Sequence, residues 1–118
     1  MFSLSSSNSY LLYHQPCDMR KSFDALCGLV RNELRRDPLS GEVFLFLNRS
    51  RTHLKLLHWE SGGLVLYYKR LEKGTFAPPA GKGSDQCLTW AQLVLLVEGL
   101  TIQKSSQKPR FNVDKKCV

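Results

Sequence analysis

Apolar residues fall along this chain in two different periods. Tyr10-Leu11-Leu12-Tyr13 is a short apolar run closed by Gln15-Pro16, and it reads as a strand. From Met19 the period lengthens. Met19, Phe23, Leu26, Val30 and Leu34 recur three or four positions apart, with Cys27 beside them, while Arg20, Lys21, Asp24, Arg31 and Arg35 fall on other faces. That spacing predicts a helix over Met19–Leu34, capped by Asp18 and ending before Asp37-Pro38, since the residue before a proline avoids helical geometry. After the turn Pro38-Leu39-Ser40-Gly41, the continuous run Val43–Leu47 reads as a central strand covered on both faces.

Asn48 to Arg51 is a polar, basic turn, Thr52–Trp59 a further strand, and Ser61-Gly62-Gly63 a hairpin loop leading to a strand over Leu64–Leu71. Three strands on short loops predict an antiparallel meander. Residues 74–86, with three glycines and Pro78-Pro79, read as a loop. Thr89 followed by Gln92 matches a capping box, opening a second helix with Trp90, Leu93, Val94, Val97 and Leu100 at helical spacing and Gly99 as a stop. The order β-α-β-β-β-α predicts one α+β domain over residues 1–102: a meander of three to four strands packed with two helices, at least one of them against a sheet face. Residues 1–8 read as frayed, and residues 103–118 as a flexible basic tail.

Composition adds to this picture chiefly through charge. Of 118 residues, 17 are Lys or Arg and 10 are Asp or Glu, a net charge of +7 that favours polyanionic partners. Much of the excess gathers around the predicted hairpins, where Arg49, Arg51, Lys55, Lys69, Arg70 and Lys73 face only Glu60 and Glu72. By strand alternation, Lys55, Leu57 and Trp59 share one face, as do Val65, Tyr67, Lys69 and Leu71, with Tyr68 and Arg70 on the opposite side of their strand. Basic residues interleaved with aromatic ones suit phosphate neutralisation with stacking, although Trp59, Tyr67 and Tyr68 read first as cross-strand packing. Arg49 and Arg51 have no evident packing role, and the planar guanidinium suits bidentate phosphate contact. Arg20 and Lys21, at the predicted helix N-terminus, form a second candidate anion site or an ordinary surface turn. The tail, with Lys104, Lys108, Arg110, Lys115 and Lys116, reads equally as a non-specific polyanion-binding arm and as a solubilising one.

No catalytic constellation emerges. His14, His53 and His58 lack metal-ligand spacing, and His58 reads as a packed strand residue. Gly81-Lys82-Gly83-Ser84 is only a fragment of a phosphate loop, and the acids Asp18, Asp24, Glu33 and Asp37 make no acid/base pair. Cys17, Cys27, Cys87 and Cys117 have no zinc spacing. Met1–Asn8 carries no secretory-leader pattern, so a reduced, cytoplasmic protein is expected, with Cys27 and Cys87 packed as small hydrophobes.

Several motifs taken together resemble one family. Residues 18–26, Asp-Met-Arg-Lys-Ser-Phe-Asp-Ala-Leu, are similar to DMRKGFDGL, and Asp37–Phe44 to DPxSGxVFVF. Lys55–Trp59, Gly63–Tyr68 and Lys69–Phe76 are similar to RxKxLxWDxxGFxLYYKRLExGxF. These motifs belong to the TnpB accessory protein, the second open reading frame of insertion-sequence sixty-six type bacterial transposons, which is distinct from the RNA-guided nuclease sharing that name. Ser22 and Ala25 stand where glycine is usual, and Ala77 where an aromatic often precedes the proline. The resemblance covers roughly residues 1–100 and implies a bacterial protein that supports transposition beside a separate transposase. It supplies no functional residues. The expectation is therefore a non-enzymatic accessory protein without cofactor or metal, binding DNA through Arg20, Lys21, Arg49, Arg51, Lys55, Lys69, Arg70 and Lys73. Other proteins of the element, the transposase included, are the further expected partners, with no membrane and no small-molecule substrate. The alternative is an adaptor that docks onto the transposase or another protein encoded by the element without touching DNA itself.

Overall fold

The apolar run Val43–Leu47 becomes β2, the middle strand of a five-stranded sheet, and all five of its residues are buried. The computed structural model describes residues 4–80 and 83–99. Around β2 the strands β1 (Tyr10–Leu12), β3 (His53–Glu60), β4 (Gly63–Arg70) and β5 (Gln86–Leu88) lie in the order β4-β3-β2-β1-β5. The expected meander is present as β2-β3-β4, paired antiparallel with Val43 opposite His58 and Leu56 opposite Tyr67. Ser61 and Gly62 both have positive φ, 50° and 79°, the backbone that a two-residue hairpin turn requires.

The sheet is nonetheless mixed, not a simple meander of three to four strands. β1 runs parallel to β2, with Tyr10 opposite Val43, and β5 runs antiparallel to β1. β5 lies where the sequence suggests the end of a loop. Three residues are too few to show a period, and pairing with β1 alone makes them a strand.

Alternation along the strands splits the core in two. Val43, Leu45 and Leu47 join Tyr10, Leu12, Leu54 and Leu56 beneath α2 (Trp90–Glu98). Phe44 and Phe46 join Leu11, Leu57 and Tyr13 beneath α1 (Phe23–Leu29), which continues as a π-helical segment over Val30–Leu34. Helices thus cover both faces. α2 matches its expected limits: Thr89 Oγ1 accepts from Gln92 N–H, and the Gln92 side chain accepts from Thr89 N–H. Gly99 ends it at φ 77°, where an added Cβ would stand 3.1 Å from Leu71 Cδ2.

The first helix departs from the pattern at its start. Its N-cap is Ser22, not Asp18, and no side chain caps it. The Asp18 carboxylate instead accepts from Arg20 N–H and from the Arg20 guanidinium. The carbonyls of Met19 and Lys21 point to the buried Lys55 ammonium, at 2.9 and 2.7 Å, and are thereby held out of a helical ladder. Phe23, expected on the apolar stripe, is 42% exposed.

Cys17 and Cys27 are buried free thiols in the α1-side core, whereas Cys87 is exposed on β5 rather than packed. Burial pushes both the Cys17 and the Cys27 thiol up from the ordinary value, so both stay protonated at neutral pH. Native protein treated with iodoacetamide at pH 7.5 (about one unit below the free-thiol value) is expected to remain unmodified at both cysteines. Peptide masses from a denatured sample should show both alkylated. Rapid native labelling at Cys27 would mean that α1 opens readily from the sheet.

Candidate nucleic-acid interface

β1, β2 and β4 all end on the same side of the molecule, because β1 is parallel to β2 and the β2-β3-β4 meander brings β4 back to that direction. The loop after β1 carries Arg20 and Lys21, the turn after β2 carries Arg49 and Arg51, and the end of β4 carries Lys69 and Arg70, with Lys73 beyond. One end of the sheet therefore collects the cations that the sequence scatters over some fifty positions.

The cations gathered here differ in what they already touch. Lys55 is 4% exposed; besides its two carbonyl acceptors, its ammonium lies 4.6 Å from the centroid of the Tyr68 ring. It tethers the 18–22 loop to the sheet and presents no charge to solvent, which corrects its expected place in the interface. Lys69 Nζ donates to the Val97 carbonyl at 2.7 Å, placing a cation at the C-terminal end of α2, where the helix dipole favours one. Arg20 is paired with Asp18, and Arg70 with Glu72 at 2.8 Å. The Arg20 guanidinium, together with its backbone N–H, holds the Asp18 carboxyl well below the usual carboxylate range. Among the described residues, Arg49, Arg51, Lys21 and Lys73 are exposed and form no ion pair.

The turn bearing the two arginines is braced. Asn48 Oδ1 accepts from Thr52 N–H and His53 N–H at 2.9 and 3.0 Å, while its Nδ2 donates to Ser50 Oγ and Thr52 Oγ1. Arg51 has φ 58°, donates its N–H to the Asn48 carbonyl and accepts from Phe76 N–H at 2.7 Å. A side chain with left-handed backbone is uncommon outside such local hydrogen-bonded turns. Both arginines line a cleft of about 340 Å³ between the ends of β1 and β2 and the loop before β5. His14 and Gln86 line it too, with His14 Nδ1 2.7 Å from Asp85 Oδ1. Arg49 also borders a second, more open hollow formed with Pro16, Cys17, Asp18 and Met19.

Sequence reasoning did not nominate Asn48, His14, Asp85 or Gln86. An asparagine opening a turn is a legible local signal. The His14–Asp85 contact spans 71 positions and has none.

Trp59 and Tyr67 are half-buried, Tyr67 against the α2-side core, as expected for packing residues, but Tyr68 is 52% exposed, with His53 5.9 Å away ring to ring. His58 is buried, as a packed strand histidine should be. Among the described residues no cluster of three or more metal-binding side chains occurs, and no helix is long and apolar enough to cross a membrane. The basic tail from 103 onward lies outside the described residues.

A family model for IS66 Orf2-like proteins, TnpB_IS66, matches residues 8–107. The chain belongs to the IS66 Orf2-like family. Two proteins of Sinorhizobium fredii, both called uncharacterized, are similar to it. The protein y4jC is 33% identical over 95 residues, covering 80% of this chain and 81% of its own. The protein y4hO is 36% identical over 83 residues, covering 70% and 72%. No solved structure matches the chain significantly. Membership of the IS66 Orf2-like family carries an accessory role in transposition; it is not a family of known enzymes.

Proposed function

We propose that this protein supports transposition by contacting the DNA backbone through the end of the sheet that bears Arg49 and Arg51. One observation carries the reading: these arginines stand on a braced turn at the mouth of a cleft without a carboxylate partner, while Arg20 and Arg70 at the same end are neutralised. The braced backbone fixes where the two side chains emerge, and a guanidinium without a carboxylate partner has no ion pair to break when it meets a phosphate. Lys21 and Lys73 extend the same charge on either side.

Affinity measured over a salt series tests the reading. The wild-type protein is expected to lose affinity linearly in log–log coordinates as counterions are recaptured. The double variant Arg49→Ala/Arg51→Ala is expected to bind at least about tenfold more weakly at 0.1 M salt, roughly the effect of removing one charge-assisted hydrogen bond. Its salt slope should be shallower by about 0.9 for each phosphate that the variant no longer neutralises. Unchanged affinity and slope would overturn this placement of the interface.

A second reading, an adaptor that pairs with another protein of the element, is favoured by β4. It is the terminal strand of the sheet, eight residues long, with Val65 44% and Tyr68 52% exposed. A long edge strand of this kind is a template for strand addition. In that case the transposase would co-purify in high salt with nuclease present, and Val65→Lys would abolish the association.

A further inference from the structure

We infer that the cleft beside Arg49 and Arg51 takes a single unpaired nucleotide, so that the protein prefers single-stranded or frayed DNA to an intact duplex. The inference rests on the reading of this end as a DNA contact and specifies which form of DNA it takes.

The cleft is concave and small, about 340 Å³, near the lower end of the ~300–1,000 Å³ range of pockets that enclose small organic molecules. It can admit one base with its sugar but not the stacked, paired bases of a helix, whose faces are covered by their neighbours. Its lining is chemically divided in the same way as a nucleotide. Arg49 and Arg51 supply guanidinium groups for phosphate. Pro78 and Pro79, both half-buried in the loop before β5, supply apolar ring surfaces, and Leu12 and Leu47 come from the strand ends. A base can stack or pack against such surfaces whatever its identity. Between the two regions, the Gln86 amide is oriented by its Nε2 bond to the Pro79 carbonyl at 3.1 Å, adding a polar group within reach of a base edge. Asp85, the carboxylate next to the cleft, is engaged by the side chain and backbone N–H of His14, so its repulsion of a phosphate is reduced. A surface that bound only duplex backbone would need the cations but not the apolar recess behind them.

The test compares three labelled DNAs by fluorescence anisotropy with the full chain: a single strand, the corresponding blunt duplex, and that duplex with a short single-stranded overhang. The single strand and the overhang are expected to bind about tenfold more tightly than the blunt duplex, the effect of one stacked base. Deoxyadenosine monophosphate should compete at concentrations where inorganic phosphate does not. Ser84 is exposed on the cleft rim, so Ser84→Glu sets a carboxylate there without disturbing the core. This variant is expected to abolish the preference for single strands, read as a fall of about tenfold in the ratio of single-strand to duplex affinity. Equal binding of all three DNAs, or a preference that survives Ser84→Glu, would overturn the inference and leave the proposed DNA contact standing. Binding of no DNA at all would remove both. Competition by poly-glutamate as effective as that by the single strand would also overturn it, since the cleft would then be reading charge alone.

Discussion

Replacing Phe44 by alanine is expected to destabilise the fold by about 3–5 kcal/mol, the usual cost of emptying a buried aromatic site. Phe44 is fully buried, lies between Leu11 of β1 and Leu57 of β3, and belongs to the cluster that holds Leu26 and Val30 of the first helix against the sheet. It therefore couples the parallel crossover β1-α1-β2 to the meander, and its removal loosens both. Total stabilities of domains this size run at about 5–15 kcal/mol, so the loss is a large share of the whole. Urea titration followed by circular dichroism should show a lower midpoint with an unchanged slope. Phe23→Ala is the informative comparison. Phe23 is the same residue type, at the start of the helix that packs over Phe44, yet it is 42% exposed, and its replacement should cost less than about 1 kcal/mol. A small effect of Phe44→Ala would mean that α1 does not seal this face.

The contrast between these two phenylalanines shows where sequence pattern succeeds and where it stops. Val43–Leu47 is apolar at every position, so burial on both faces follows from composition alone, and the structure buries all five residues. The capping box at Thr89 and Gln92 is a local chemical device, fixed by residues three apart, and it forms as the spacing predicts. Phe23 and Asp18 obey the same rules on paper and break them in the fold, because the start of the first helix is decided by Lys55, more than thirty positions away. β5 and the His14–Asp85 contact are likewise products of long-range pairing. For the candidate interface, local pattern identifies the residue types and the turn that carries Arg49 and Arg51. Which cations remain unpaired is settled in part by tertiary contacts, which engage Lys55 with backbone carbonyls and Lys69 with the end of α2, and in part by acids two positions away, Asp18 for Arg20 and Glu72 for Arg70.

Lys55→Met offers the sharpest test of that long-range control. Methionine keeps the apolar stem but removes the ammonium, and with it the bonds to the Met19 and Lys21 carbonyls and the contact with the Tyr68 ring. Hydrogen bonds to a charged group contribute about 1.5–3 kcal/mol each. Part of this is offset because a buried charge no longer has to be desolvated, and the freed carbonyls lie in a largely exposed loop where water reaches them. A net destabilisation of about 1–3 kcal/mol follows. The conformational result is more specific than the energetic one. With the competing donor gone, the Met19 and Lys21 carbonyls become available to a helical ladder, and Asp18 can serve as the N-cap that its spacing suggests. Backbone chemical shifts at residues 19–22 are therefore expected to move towards helical values in Lys55→Met. In Lys55→Arg, where a cationic donor is retained, they should move much less. If residues 19–22 keep their turn in Lys55→Met, the geometry of the loop is fixed by the Asp18–Arg20 pair instead. Lengthening of the helix, by contrast, would carry Arg20 and Lys21 away from the turn that bears Arg49, and would divide the basic end of the sheet that a single buried lysine now holds together.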